Sequence, residues 1–233
     1  MEAKKVMFAV MMMAMVTAVY PLDTNTVFDP CSDTKVLRGD GFTFGLAFSS
    51  KDSFFSDQIQ LSPCDSRLSL QGTAAKLAVF RPKVDELTFL TVNTSDFYPV
   101  KSGGYMVAFA GRQYAARSIP ALVVDESNII TSFTLVLEFQ KGRLVNLYWK
   151  KFGCKSCAES SRICLDNQES CATPISKCNT NGGSVDCNLS VQLAFSGTDK
   201  KLEVLNSWYE IEKLRQYSLV GLYENIKGMV IGP

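Results

Sequence analysis

Cysteine placement constrains this chain more than any other feature. Among 233 residues there are eight cysteines, and six of them, Cys154, Cys157, Cys164, Cys171, Cys178 and Cys187, crowd together while Cys31 and Cys64 stand apart. An even count leaves no thiol over, and paired thiols persist in oxidising compartments. Four disulfides are therefore expected. If the cluster pairs within itself, Cys31 joins Cys64; the connectivity among the six clustered thiols stays open. Residues 153–184 hold few large apolar side chains, so bridges rather than a core must order them. They read as an insertion in a single domain spanning 19–233. Cys154-x-x-Cys157 has the spacing of a zinc knuckle, but no second knuckle follows it. No metal and no cofactor is expected.

The amino terminus agrees with that redox setting. Lys4 and Lys5 precede an uncharged apolar run over 6–20, the layout of a signal peptide. Fifteen residues fall short of the roughly 20 that cross a bilayer as a helix. Val16-Thr17-Ala18 offers small residues where a signal peptidase looks, which predicts removal of 1–18 and a chain starting at Val19. The expected destination is the extracellular space or a cell wall, with no membrane span after cleavage. Without residues 1–18 the chain carries 22 basic and 22 acidic side chains. That balance argues against nucleic acid, whose phosphates call for a basic face.

Apolar residues recur with a period of two. Phe42, Phe44, Leu46 and Phe48 share one face of an extended segment, as do Phe133, Leu135, Leu137 and Phe139, and Leu189, Val191, Leu193 and Phe195. Further strands are expected over 76–80, 86–93, 105–110, 122–125, 144–152 and 202–208. Many short strands without a helical period between them predict a mainly β chain, an antiparallel sandwich or jelly roll. Gln140-Lys141-Gly142-Arg143 reads as a tight hairpin turn. Leu219, Leu222, Tyr223 and Ile226 predict one short helix near the end, over 218–227.

Several segments together, Gly41-Phe42-Thr43-Phe44-Gly45, Leu61-Ser62-Pro63-Cys64-Asp65, the run from Phe80 through Arg81, Pro82 and Asp85 to Glu86, the run from Gly103 to Arg112, Asn146-Leu147-Tyr148-Trp149-Lys150 and Ser196-Gly197-Thr198-Asp199, make the chain resemble the plant expp-type proteins. These are small secreted proteins without an assigned activity. The resemblance implies a plant origin and an extracellular destination, and it supplies no catalytic residues.

Chemistry is narrowed by an absence: the chain has no histidine. Ser-His-Asp and Cys-His nucleophiles and His-ligated metals are thereby excluded. A pair of carboxylates suffices for glycoside hydrolysis, and Glu138 and Glu203 are the candidates, although the alternation points both toward solvent. Trp149 and Trp208 are candidate stacking platforms for a carbohydrate. Asn93-Thr94-Ser95 and Asn188-Leu189-Ser190 fit the N-glycosylation sequon. The expected role is a non-catalytic binding or structural module whose partner is a cell-wall polysaccharide or a surface receptor. The alternatives are a carboxylate-dependent glycan-active enzyme and a ligand or partner of a cell-surface receptor.

Overall fold

A computed structural model of the chain describes residues 23–68, 70, 74–94, 97, 99–112, 117–154, 157, 163–165 and 170–216. In chain order the strands are β1 (Phe44–Ser50), β2 (Phe55–Ser56), β3 (Ile59–Gln60), β4 (Lys76–Phe80), β5 (Thr88–Val92), β6 (Gly104–Phe109), β7 (Ala121–Leu122), β8 (Asn128–Ile129), β9 (Ser132–Gln140), β10 (Arg143–Lys150), β11 (Ile163–Leu165), β12 (Ser170–Pro174), β13 (Leu189–Thr198) and β14 (Val204–Leu205), followed by one helix, α1 (Ser207–Gln216). The chain is mainly β, as the alternation predicts.

Two sheets face each other. The first runs β4-β1-β6-β7; the second runs β10-β9-β13, with β5 and β14 following one another along the far edge of β13. The residues expected to share a face do so: Phe44, Leu46 and Phe48 from β1 meet Leu135, Leu137 and Phe139 from β9 and Leu189, Val191, Leu193 and Phe195 from β13 in one buried cluster. Phe42 stands edge-on to Phe139 with ring centroids 5.1 Å apart, a geometry favoured by the ring quadrupoles.

Three features depart from expectation. First, β13 pairs with β9 in parallel while the other pairings are antiparallel. Strand alternation is the same in either direction, so the pattern carries no sign of it. Second, β1 is buried on both faces. Ala47, Val107 and Phe109 pack outward onto Phe54 and the cysteines 31 and 64, so a covering loop sits where solvent was expected. Third, the stretch 202–208 is strand only at β14, and α1 begins at Ser207. Trp208 and Ile211 of that helix lie on Val136, Ala194, Leu87, Tyr148 and Phe152, closing the outer face of the second sheet. The helix expected over 218–227 lies outside the described residues.

The β9–β10 turn forms where expected, with Arg143 opposite Gln140. Lys141 and Gly142 adopt φ of 52° and 75°, the pair of positive values that matches the strand twist in a two-residue hairpin. A Cβ on Gly142 would lie 2.6 Å from the Val36 carbonyl oxygen, because Val36 donates its N–H to Gly142 O there.

Four disulfides join Cys31 to Cys64, Cys154 to Cys164, Cys157 to Cys171 and Cys178 to Cys187. The cysteine-rich stretch is tied to the sandwich edge by β12, which pairs Thr173 with Ile129 of β8. No described helix is long and apolar enough to cross a membrane.

Candidate functional site

Burying a carboxylate is costly unless its oxygens are bonded, so the buried aspartates report what the fold spends them on. Asp40, Asp85 and Asp199 are each less than 10 % exposed. Asp40 accepts from the Thr24 and Leu37 backbone N–H groups, both at 2.7 Å. Asp199 accepts from the N–H of Lys201 (2.7 Å), Glu203 (2.9 Å) and Arg38 (3.1 Å). Asp85 Oδ1 accepts from Asn206 and Ser207 at 2.7 and 2.8 Å, and its Oδ2 lies 3.0 Å from Arg38 Nε as an ion pair without a well-aligned hydrogen bond. Arg81 completes the frame, donating to Val27 O (2.6 Å) and Thr43 Oγ1 (2.8 Å) and pairing with Asp23 at 2.8 Å. These groups pin residues 23–43 across both sheets. Apart from Asp85 Oδ2, which faces Arg38, the oxygens of Asp40, Asp85 and Asp199 are engaged by backbone N–H donors, as a clamp requires.

Asp199 shows the balance in charge terms. Burial alone would raise its carboxyl, but the N–H groups of Arg38, Glu203 and Lys201, with the Lys201 charge, outweigh it and hold the group below the ordinary carboxylate value. A lowered folded value stabilises the fold fully above the unfolded value of about 3.9, and the contribution fades as pH falls through the folded value. Asp199→Asn should therefore lower the urea midpoint at pH 7, with a gap to the parent that narrows by pH 3. A gap of equal size at both pH values would contradict the assignment.

A cleft of about 440 Å³ opens where the cysteine-rich stretch meets the sandwich. Val124, Ile129, Pro99, Val100 and Ile175 give it an apolar surface, and Thr94, Thr180 and Asn181 add polar groups. Its wall is braced: Ile175 donates its N–H to Ser127 O at 2.9 Å, and the Cys178–Cys187 bridge that closes the neighbouring loop is buried at both residues. Val100 is 63 % exposed, so the cleft is open to solvent. Rigid walls, an apolar floor and a few polar groups suit a small uncharged ligand with an apolar face. Its lining comes from four separate stretches, none with a motif of its own, so periodicity and spacing do not reveal it.

The sequence-derived candidates fall elsewhere. Glu138 sits on β9 with Asn146 Nδ2 donating to its carboxylate at 3.4 Å, whereas Glu203 is exposed and precedes β14. Strand β13 lies between β9 and β14, so the two are not brought together as a pair. Trp208 is 9 % exposed, with the Phe152 ring 6.3 Å away and Lys150 Nζ 5.2 Å from its ring. Trp149 is half-buried against Phe133 at 5.6 Å, its Nε1 enclosed without an acceptor among the described residues. Each ring has a packing partner, Phe133 for Trp149 and Phe152 with Lys150 for Trp208. Asn93 is exposed, while Asn188 is half-buried and its Oδ1 accepts the Thr94 N–H at 3.0 Å. The two asparagines flank the Leu189–Val92 pair. Ser95 of the first sequon lies outside the described residues, as do residues 1–22.

Among the described residues no three Cys, Asp or Glu side chains are placed to hold a metal ion. No curated protein and no solved structure matches the chain. A family model does match, over residues 3–129 and 122–231, and it is not that of the plant expp-type proteins. The plant resemblance is thereby corrected. The segments that carried it lie at structural positions: Arg81 and Asp85 in the clamp, Asp199 in its turn, Gly45 against the Phe109 ring. Requirements of that kind reflect architecture more than lineage. The match covers nearly the whole chain, which belongs to the family described as uncharacterised protein DDB_G0273449.

Proposed function

We propose that the protein is a secreted, non-catalytic binding module, residues 19–233 forming one domain with 153–184 as its insertion. The observation that carries this reading is the braced cleft of about 440 Å³ between that insertion and the sandwich. The four disulfides fit an extracellular protein, and the buried Asp40, Asp85 and Asp199 serve the frame. The ligand class is a polysaccharide of an extracellular matrix or wall. A receptor that grips the cysteine-rich stretch is the second reading.

A glycan array probed with the intact, oxidised protein tests it. Binding to a defined saccharide is expected, and Val100→Glu should weaken it at least tenfold, by placing a charge at the apolar rim that the ligand would cover. Because Val100 is 63 % exposed, the variant should fold. An empty array, or binding indifferent to Val100→Glu, would overturn the cleft assignment.

Secretion is tested separately. Expressed in a eukaryotic host, the deglycosylated chain should have the mass of a polypeptide starting at Val19. Glycopeptide mapping should find more glycan on exposed Asn93 than on Asn188, whose side chain is held against Thr94. A product retaining Met1 and fractionating with membranes would refute the destination, and the reverse occupancy would refute the assignment of accessibility.

A further inference from the structure

A second cleft of about 440 Å³ shares no residue with the first. Its lining gathers three arginines, Arg67, Arg112 and Arg117, with Asp65, Ser66 and Ile59 among their neighbours. Among the lining residues three cations stand against one carboxylate; behind them, Asp29 feels the Arg112 charge and Asp33 accepts the Arg112 N–H. The Asp65 carboxylate is committed: Arg67 donates to it through Nε at 3.0 Å and Nη2 at 2.7 Å. That pairing uses two of the five N–H donors of the guanidinium and fixes its direction, while the Arg67 side chain stays 71 % exposed.

The backbones beneath the arginines are pinned. Arg67 follows Cys64, whose bridge to Cys31 ties this loop to the segment beside Arg112. There Gly111 donates its N–H to Pro30 O at 2.7 Å and Arg112 donates its own to Asp33 at 2.9 Å. Next to Arg117, Ser118 is 2 % exposed, donates its N–H to Ala108 O at 2.8 Å and accepts from Gln60 Nε2 at 2.6 Å. Arg112 and Arg117 have no ion pair within hydrogen-bonding distance among the described residues. Held backbones that carry exposed guanidinium forks match the geometry of carboxylate and sulfate groups, which take two parallel N–H bonds from one arginine. Ile59, 63 % exposed, adds an apolar wall of the kind that a sugar ring face covers, and Ser66 adds a hydroxyl.

We propose that this cleft binds an acidic saccharide, its carboxylate or sulfate held by Arg112 and Arg117 beside the Asp65-braced Arg67. The choice of a saccharide over a nucleotide rests on the extracellular reading above; the anion site itself does not. Titration calorimetry on the full oxidised chain separates these points, with four probes: oligogalacturonate, a heparin-type sulfated oligosaccharide, a neutral cello-oligosaccharide and ATP. Saturable binding of one acidic saccharide is expected, weakening with salt, whereas any binding of the neutral one at the other cleft is indifferent to salt and to the arginines. Arg112→Ala and Arg117→Ala should each weaken it about tenfold, whereas Lys213→Ala, on α1, should leave it unchanged. Arg117→Lys keeps the charge and loses the fork, so it should fall between the parent and Arg117→Ala even if the alanine variant folds poorly. Neutral-probe binding that the arginine variants weaken equally, no binding of any anion, or anion affinity indifferent to the arginines would overturn the proposal. ATP binding tighter than either acidic saccharide would overturn the saccharide class and the extracellular reading behind it, while leaving the secretion test to decide destination independently.

Discussion

Replacing Gly197 by alanine is expected to destabilise the fold by about 3–5 kcal/mol, through strain and displaced backbone acting together. Gly197 lies on β13 between Phe139 of β9 and Leu205 of β14, with φ at 96°. A Cβ there would fall 1.9 Å from the Phe139 carbonyl oxygen. Relief would require β9 and β13 to separate at the point where the two longest strands pair in parallel, directly above Phe139 and Phe195 of the core. Gly182 is the control: its φ is 83°, yet nothing lies within 4 Å of its added Cβ. Alanine at 182 should cost only the conformational strain, about 1 kcal/mol. Urea melts of the two variants measure the difference. Equal midpoints would mean that the close approach of the strands is not a constraint on stability.

Gly197 also marks what the chain's pattern can and cannot reveal. The faces of β1, β9 and β13 were legible because burial on one side of a strand writes itself as a period of two. The β9–β10 hairpin was legible because its turn chemistry is local. The grouping of the cysteines was legible for a similar reason, since Cys31 and Cys64 are remote in sequence from the crowded six. What escaped depends on partners distant in sequence. The parallel pairing of β9 with β13 leaves no trace in either strand. The apolar residues of α1 whose burial against the sheet is described, Trp208 and Ile211, follow directly on the apolar residues at 202, 204 and 205, so the stretch reads as an extension of that strand. The two clefts are lined by residues from several segments with no common motif. Nothing near Asp40 in the sequence says that it is buried or that Asp85 and Asp199 converge on the neighbouring Arg38.

That convergence makes Asp85 the position with the largest expected electrostatic effect. Its Oδ1 takes the N–H groups of Asn206 and Ser207 at the start of α1, where a helix leaves its first donors without intrahelical partners and where negative charge is favoured by the helix dipole. Ser207 is itself fully buried, its hydroxyl accepting the Phe195 N–H at 2.8 Å and so standing in for a strand partner on β13. The helix is thus held to the sheet at its first turn by one carboxylate from 121 residues away and one hydroxyl. Asp85→Ala would leave both donors buried and unpaired and would put a Cβ-bearing residue without a local hydrogen bond at φ 69°. A loss of about 3–5 kcal/mol is expected. Asp85→Asn keeps an acceptor oxygen and a side chain that tolerates positive φ, while surrendering the charge toward half-exposed Arg38, so about 1–2 kcal/mol should be lost. Trp208 reports the mechanism, because it rides on α1 while Trp149 lies on β10. With Trp149 replaced by phenylalanine to leave one emitter, Asp85→Ala should red-shift the emission in mild urea before the rest of the fold melts. Identical melting of the alanine and asparagine variants, or a Trp208 signal that moves only with global unfolding, would show that Asp85 does not anchor the helix.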